Sequence, residues 1–434
     1  MALGTALPLL AYRFETTLSL ASLVSILYVL MFAGLILPVG WLMDRVDCFR
    51  LLRGGYYLFG IGSLCCIFSQ TITQLCAGRL LQGSGGAVLY AVTPVLIRKF
   101  VPEDLRDRSY AQLSMVSQIG ILLGPPLGGM LSAQWGWQSI FAMNIPIIAV
   151  ALILLIGLAA PPDRNAVRRS FDSAGACLCF IASALFIFVL NQGYEFGWGS
   201  WEILTAEAAC MISAFLFVLR QVRVREPLVD FKLLRIKEYR TGLITSLFAL
   251  IAGAGVSFIS PFFLTHVLGF TIFQSGFMLA IEPVGSVLTA GCSAAAVNRW
   301  GYAQLITGSM MARLLAMLML AAATWAPFLN LVIIAFSISG LAEGMQYGPL
   351  MSETMAAIPA GEEGEGGALF SQTRLMAQMF GVLIFETIFS ELHSLPPYPG
   401  APDDRRDIAF SIAFILAAVL FAFGAMLAIR LRKR

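Results

Sequence analysis

Long apolar runs separated by short polar breaks form the main pattern along this chain. A helix needs roughly 20 apolar residues to cross the hydrocarbon core of a bilayer, which is about 30 Å thick. Thirteen runs come close to that length, so the pattern predicts an all-α polytopic membrane protein with thirteen full spans. The predicted spans are 18–42, 54–71, 73–97, 110–133, 138–160, 173–193, 202–221, 241–265, 273–297, 304–325, 328–352, 367–391 and 408–430.

The composition agrees with this pattern and excludes a set of soluble domains. Hydrophobic residues make up 59% of the 434 residues and charged residues 12%, and the mean hydropathy is +0.83. A soluble protein has about 45–50% apolar and about 25% charged residues. The net charge of +3 is too small to indicate a nucleic-acid partner, so we expect the lipid bilayer to be the main surrounding.

Lysine and arginine residues lie almost entirely on one side of the predicted spans. The loops and the C-terminal tail on that side hold 22 of the 28, the opposite side holds 3, and 3 lie within spans. Because positively charged loops stay in the cytoplasm, we expect that side and the C-terminus to be cytoplasmic. The localisation expected is the cell membrane, which is the inner membrane in a cell with two.

Two marked polar breaks, 161–172 and 222–240, divide the chain. They enclose a helix pair at 173–221, with six spans after it and five spans plus an N-terminal stub before it. A 6+2+6 plan follows: a six-helix bundle at 1–160 with an incomplete first helix, two extra helices at 161–240, and a six-helix bundle at 241–434. Two weakly similar halves are typical of a transporter whose site lies near the bilayer midplane.

A short motif closes the span 18–42. Gly40, Leu42, Asp44 and Arg45 have the spacing G-x-L-x-D-R, which resembles the loop signature of the major facilitator superfamily. An acid at a helix end can pair with a cation across the interface of the two halves, and motion then requires that pair to break. A solvated positive loop is the alternative interpretation.

Arg79 begins a second motif, R-x-x-Q-G-x-G, that continues to Gly85 and matches a pattern of the same family. A cation within a membrane helix is costly and marks a functional site by default. The resemblance implies a link to proton transfer. The alternative is an arginine that snorkels to the membrane surface from the outer third of its helix.

The span 110–133 carries the most specific motif of the chain. Gly120, Gly124, Pro125 and Gly128 match the antiporter signature of the superfamily, which favours export over uptake. Glycines at every fourth position let helices approach closely, and prolines kink a helix and free backbone carbonyls.

Motifs on both sides of the extra helix pair point to one branch of the family. Phe171-Asp172-x-x-Gly175 precedes the pair and Arg225-Glu226-Pro227-Leu228-Val229-Asp230 follows it. Both are typical of the fourteen-helix drug/proton antiporter branch, the EmrB/QacA type. The resemblance implies proton-driven efflux of bulky, amphipathic small molecules, with a periplasmic adaptor and an outer-membrane channel as candidate partners.

Three of the acidic residues within predicted spans fit an exchange mechanism. Glu282 precedes Pro283 near the middle of its span, and Glu343 and Glu386 lie in two later spans. A carboxyl group in a low-dielectric wall can bind a proton and a cation alternately. We expect Glu282 to be the main coupling residue; an acid that only hydrogen-bonds a neighbouring helix, with Arg374 as a candidate partner, is the alternative.

The N-terminal stub, 1–12, departs from the family pattern. Twelve residues rise only about 18 Å as a helix, and the stub has neither the basic region nor the cleavage site of a signal peptide. The family's first helix begins with an acidic pattern, of which only the end, Leu3-Gly4-Thr5-Ala6-Leu7-Pro8, is present. We expect either a start upstream of Met1 or a shortened, inactive paralogue.

Other classes of function find little support. Most of the eight cysteines lie inside apolar runs, and no CxxC pair with a histidine cluster or HExxH motif occurs, so we expect no metal, no cofactor and no enzyme activity. The energy source expected is the proton gradient. Export of a native metabolite or a siderophore is the alternative to drug efflux.

Overall fold

Each of the thirteen predicted spans coincides with a helix or a pair of helices in the structure, a computed structural model. It describes residues 10, 13–16, 18–158, 171–224, 226–326, 328–394 and 404–431, so most of the predicted stub and of the 161–172 break lies outside the described residues. Over the described ranges the chain is all-helical. The helices are α1 Leu18–Met43, α2 Cys48–Ile67, α3 Ile72–Phe100, α4 Glu103–Trp135, α5 Gln138–Ala142, α6 Asn144–Leu154, α7 Ser173–Phe196, α8 Trp201–Arg223, α9 Lys237–His266, α10 Ile272–Ala290, α11 Ser293–Trp300, α12 Tyr302–Trp325, α13 Leu329–Ala356, α14 Glu363–Ser394 and α15 Asp404–Ala428, with a 3-10 helix at Phe231–Arg235.

The helices have the length and apolarity of membrane spans. Within the described part of the chain, nine are long and apolar enough to cross a bilayer, and two bent pairs bring the number to eleven. One bend, of 43°, separates Glu103–Gly124 from Pro126–Trp135 within α4, where prolines interrupt the backbone hydrogen bonds. The other, of 60°, separates α10 from α11. The chain is therefore a multi-pass membrane protein.

The chain divides into two compact units. One comprises Met1–Lys99, Leu123–Leu233 and Ile358–Gln372, and the other Phe100–Leu122, Leu234–Ala357 and Thr373–Arg434. Each unit has its own apolar core, built around Trp137 and Phe141 in the first and around Phe263 and Phe414 in the second. Helices α4 and α14 contribute to both units. The division predicted at residues 160 and 240 stays a prediction.

The extra helix pair, α7 and α8, lies at the edge of the first unit. Phe180 of α7 packs directly on Gly34 of α1, where an added Cβ would overlap the ring, and Phe171 meets the Trp41 ring edge-on at 4.8 Å between centroids. Only 6% of the most apolar window of α8 is buried inside the protein. Helix α8 therefore presents its apolar surface outward, as a lipid-facing helix does.

Asp172 fixes the start of this helix pair. Its carboxylate accepts a hydrogen bond from the Gly175 amide at 2.9 Å, which caps α7, and pairs with Arg220 Nε at 2.6 Å near the end of α8. Gln221 donates to its second oxygen at 3.0 Å. Burial raises the pKa of Asp172, but the hydrogen bonds from Gly175, Arg220 and Gln221 outweigh it and hold the pKa below its ordinary value.

Gln221 connects the two motifs that flank the helix pair. Its side-chain oxygen accepts hydrogen bonds from the backbone amides of Leu228 at 2.7 Å and Val229 at 3.2 Å, while its amide group donates to Asp172. The F-D-x-x-G and R-E-P-L-V-D segments are thus joined through one buried side chain. The two motifs therefore contact each other, through Gln221, where α7 begins and α8 ends.

Candidate functional site

Asp44, directly after α1, caps the N-terminus of α14. Its carboxylate accepts hydrogen bonds from the backbone amides of Gly364 and Glu365, both at 2.9 Å, and from Lys99 Nζ at 2.8 Å. The first amides of a helix have no partner within the helix and carry the positive end of its dipole. Asp44 therefore holds α14 by both hydrogen bonding and charge.

Glycines make this contact possible. A Cβ added at Gly40 would overlap the Cβ of Ala368, and a Cβ added at Gly364 would lie 2.6 Å from both the Asp44 carboxylate and the Gly40 carbonyl oxygen. The backbones of α1 and α14 meet here with no side chain between them. The glycine of the predicted motif thus serves the close approach that places Asp44 on the amides of α14.

Arg45 adds an ion pair to the same contact. Its guanidinium lies 3.5 Å from the buried carboxylate of Glu365 and 4.0 Å from the centroid of the Trp41 ring, and it donates to the Trp41 carbonyl oxygen. Glu365 belongs to a polar segment, 359–365, that contains three glutamates and to which the sequence alone assigns no function. The structure shows that it begins α14 and supplies the acid for Arg45.

The partner expected for Asp44 differs in kind from the partner found. A cation from the other half was expected, whereas the cation on Asp44 is Lys99, from the same 1–160 segment of the sequence. The group that Asp44 meets across 320 residues of chain is the backbone of α14. The positive end of a helix comes from backbone amides and not from a charged side chain. An analysis of charged residues in the sequence therefore could not predict it as the partner of Asp44.

Arg79 lies inside the first unit within a buried polar network. Its Nε donates to the Val24 carbonyl oxygen at 2.9 Å, one Nη donates to Gln82, and the guanidinium lies 4.1 Å from the centroid of the Tyr28 ring. Gln82 in turn donates to Ser63 Oγ at 2.8 Å. The arginine side chain is 9% exposed and points into the protein, away from the surface that snorkelling requires.

Glu282 lies on α10 against two other helices of the second unit. Its Oε1 accepts a hydrogen bond from Ser339 of α13 at 2.6 Å and lies 3.4 Å from an Nη of Arg313 of α12. The Arg313 side chain is 5% exposed and also covers the Phe421 ring, 4.5 Å from its centroid. The structure thus pairs the predicted coupling acid with a buried cation, Arg313, which sequence analysis did not single out.

The other predicted acids and Arg374 lie on two helices of the second unit. Glu343 is partly buried on α13, one turn along that helix from Ser339, which donates to Glu282. Glu386 is partly buried on α14, and none of the contacts described for Glu282 involves it. Arg374 lies over the Tyr347 ring and donates to its hydroxyl group. Of these three acids, the described contacts therefore give an ion pair to Glu282 and none to Glu343 or Glu386.

The predicted antiporter motif lies on α4, at the 43° bend. Among the described residues, a Cβ added at Gly120 or Gly124 would meet no heavy atom of another segment within 4 Å, whereas Gly128 is buried. The close helix packing expected at Gly120 and Gly124 is therefore not found in this structure. The side chain of Pro125 lies outside the described part, and the role of the motif stays a prediction.

A second polar contact, which sequence analysis did not single out, lies in the second unit. Asp107 of α4 accepts hydrogen bonds from Tyr302 Oη and Ser352 Oγ, both at 2.5 Å. Tyr302 begins α12 and is buried. Asp107 stands between two arginines in the sequence and looks there like part of a positive loop, so only the folded chain shows that it binds two hydroxyl groups.

The described helices are apolar membrane spans that contain buried charged side chains. Such charges are expensive in a membrane and are retained where ions or substrates move. The fold agrees with those of two solved transporters. The human organic anion transporter MFSD10 (TETRAN) aligns with a TM-score of 0.65 at 15% identity, covering 97% of this chain and 88% of its own. The proton:xylose symporter XylE aligns with a TM-score of 0.67 at 14% identity, covering 98% and 90%.

The chain belongs to the Major Facilitator Superfamily, whose family profile matches residues 1–382. It is similar to the riboflavin transporter RibZ of Clostridioides difficile (strain 630), with 26% identity over 389 residues, 90% of this chain and 84% of the relative. It is also similar to MdtD of Escherichia coli O1:K1 / APEC, whose assignment to multidrug resistance is itself provisional. Those two chains are 27% identical over 425 residues, 97% of this chain and 90% of the relative. The protein is thus a membrane transporter of this superfamily.

Proposed function

We propose that this transporter exports amphipathic drugs or other toxic small molecules in exchange for protons, as a member of the fourteen-helix drug/proton antiporter branch. The motifs on α4 and on both sides of α7 and α8 support the branch. Similarity to a relative assigned provisionally to multidrug resistance supports the substrate class. The observation that carries the proposal is the partly buried carboxylate of Glu282, paired with the buried Arg313.

Glu282 has the surroundings that proton coupling requires. The carboxylate lies in a partly buried side chain, accepts a hydrogen bond from Ser339 and faces the cation of Arg313. A buried acid changes its charge when it binds a proton, and that change alters the balance of forces among the helices around it. An exporter can use this change to couple inward proton movement to outward substrate movement.

The contact of Asp44 with α14 provides the conformational part of the mechanism. It joins α1 and α14, which are far apart in sequence, through a helix cap and the Arg45–Glu365 ion pair. Alternating access requires contacts that form in one state and break in the other. We assign that role to Asp44, with Gly40 as the residue that permits the contact.

The orientation follows from the Lys/Arg distribution. We propose a cytoplasmic C-terminus, in the inner membrane of a cell with two, with a periplasmic adaptor and an outer-membrane channel as partners there. A reporter that is active only outside the cytoplasmic membrane, fused after Arg434, should stay silent. Activity of that fusion contradicts the orientation.

Transport into inverted membrane vesicles tests the proposed function. With an imposed pH gradient that is acidic inside, ethidium, a bulky aromatic cation, should accumulate in vesicles containing the protein. Glu282→Gln should abolish the gradient-dependent part and keep normal expression, because an amide cannot take up and release a proton. Glu202→Gln, an exposed change on the peripheral helix α8, is the matched control. Full accumulation with Glu282→Gln contradicts the assignment and directs attention to Glu386.

A second candidate is transport of one native metabolite. The similarity to a riboflavin transporter favours it, because the identity to that relative is about the same as to MdtD. The same vesicles distinguish the two candidates when riboflavin replaces ethidium. Saturable movement of riboflavin without any movement of ethidium supports the second candidate.

A further inference from the structure

Arg79 is a buried cation whose hydrogen bonds all go to neutral groups. Its Nε donates to the Val24 carbonyl oxygen at 2.9 Å, and one Nη donates to the side-chain oxygen of Gln82. Gln82 donates onward to Ser63 Oγ at 2.8 Å, and Ser63 donates to the Phe59 carbonyl oxygen at 2.9 Å. Among the described residues no carboxylate pairs with Arg79. The network therefore satisfies hydrogen bonds but does not neutralise the positive charge.

Arg313, a buried cation of the second unit, has a different surrounding. One of its Nη atoms lies 3.4 Å from the carboxylate of Glu282. Arg79 is buried almost as deeply, since the two residues are 9% and 5% exposed. A buried charge without an opposite charge is unfavourable. The site of Arg79 is therefore completed by an anion that the described chain does not supply.

Arg79 has donors left for such an anion. A guanidinium carries five N–H donors, and the described hydrogen bonds use two of them. The others lie on the two Nη atoms, whose parallel N–H groups match the two oxygens of a carboxylate. A carboxylate also balances the single charge of Arg79, whereas a phosphate group, with about two negative charges at neutral pH, would leave an excess.

Aromatic rings continue from Arg79 along α1 and α3. The guanidinium lies 4.1 Å from the centroid of the Tyr28 ring, and the Phe32 ring follows at 5.8 Å and the Tyr90 ring at a further 5.2 Å between centroids. All three residues are only partly buried. A Cβ added at Gly86 would lie 2.8 Å from the Tyr28 hydroxyl group and 3.2 Å from the Phe32 ring, so this glycine lets both rings lie on α3. Aromatic rings pack favourably against one another, so the row suits an aromatic ligand.

We propose that Arg79 binds the carboxylate of an aromatic, amphipathic acid, and that Tyr28, Phe32 and Tyr90 contact its ring system. This inference rests on the proposed function, because it names one chemical class among the exported molecules. It differs from the link to proton transfer that the motif implies, since the ligand of Arg79 is here the substrate.

Two naphthalene compounds test the site on purified protein in nanodiscs of phosphatidylcholine. 2-Naphthoate and 2-naphthamide share a ring system and differ in the negative charge. Equilibrium binding of the radiolabelled compounds is measured at neutral pH, with Glu202→Gln as the control that must match the parent protein. We expect the acid to bind about ten-fold or more tightly than the amide, because a hydrogen bond to a charged group contributes at least that factor. Equal affinities in the parent protein overturn the inference.

Gln82→Glu is the most informative variant, because it places a carboxylate where Arg79 already donates. The internal carboxylate compensates the charge, so the variant should be at least as stable as the parent protein. Its preference for the acid should nevertheless disappear. Gln82→Met removes the same amide without adding a charge and is the matched control, which should keep the preference. Phe32→Leu should weaken binding of both compounds and leave the ratio of their affinities unchanged.

Arg79→Gln should bind the two compounds equally. If that variant fails to fold, Gln82→Glu still decides, because it retains the arginine. A purely structural role for Arg79 predicts that Gln82→Glu leaves the ratio of affinities unchanged, and this outcome overturns the inference.

Gradient-driven transport of ethidium, which has no carboxylate, judges the proposed function separately. Ethidium transport by a parent protein that does not prefer the acid overturns this inference alone. Preference for the acid without gradient-driven movement of naphthoate or ethidium supports the Arg79 site and contradicts the proposed function.

Discussion

Removal of the charge on Asp44 should release α14 from α1. The two carboxylate oxygens of Asp44 accept from different amides, those of Gly364 and Glu365, and one of them also pairs with Lys99. In Asp44→Asn only one oxygen is left, and the amide group that replaces the other turns a donor toward a backbone N–H. The variant therefore loses one backbone hydrogen bond, the ion pair and the favourable charge at the helix N-terminus.

The cost can be worked from these contacts. A hydrogen bond to a charged group contributes about 1.5–3 kcal/mol, and a charge at a helix N-terminus about 0.3–1 kcal/mol. Together they favour the capped state by about 2–4 kcal/mol. At about 1.4 kcal/mol per factor of ten, the ratio of uncapped to capped protein should rise about 30- to 700-fold.

A distance measurement between two spin labels reads this ratio directly. Labels are attached at the exposed positions Val46 and Ala360, on either side of the contact, after the exposed Cys65, Cys177 and Cys292 are replaced by serine. Asp44→Asn should add a longer distance to the distribution and should slow ethidium transport more than ethidium binding.

Asp47→Asn provides the matched control for the same loop. Asp47 caps α2 through the amides of Phe49 and Arg50 and makes no described contact with α14. Its distance distribution should match that of the parent protein. A distribution for Asp44→Asn that is indistinguishable from that of Asp47→Asn refutes the reasoning, and an equal loss of binding and transport indicates misfolding instead.

Three further predictions concern stability. Asp172→Asn should lower the free energy of unfolding at neutral pH, and this difference should disappear only as the pH falls from roughly 4, the unfolded pKa, through the lower native pKa. A depressed native pKa contributes stability above the unfolded pKa that is lost as the pH falls through the native pKa, and denaturant titrations at several pH values measure it. Gly340→Ala should destabilise by about 1–3 kcal/mol through overpacking, whereas Gly124→Ala, with open space around its Cβ, should leave Tm nearly unchanged; equal effects would contradict this. Tyr302→Phe removes a hydrogen bond to Asp107 and should cost about 1.5–3 kcal/mol, read as a lower Tm, and an unchanged Tm would show that the bond contributes nothing.

The arrangement of spans could be predicted from the sequence because it depends on local properties. A run of apolar residues becomes a helix wherever it lies in lipid, since the backbone must satisfy its own hydrogen bonds there. The predicted and observed bounds agree within a few residues for most spans, as at 18–42 against Leu18–Met43. The bend in α4 could be anticipated in the same way from its prolines, and the cap at Asp172 from its place before an apolar run.

The composition of the candidate sites depended on the tertiary structure. Glu282 could be selected from its position in a span, but its cation, Arg313, lies on another helix, and nothing in the spacing of 31 residues pairs them. Asp44 is 321 residues from the Glu365 amide that it caps. Side chains so far apart in sequence meet only because helices pack through their small residues, and that packing selects the pairs. The sequence therefore determined where the charges enter the membrane, and the tertiary structure determined which of them compensate one another.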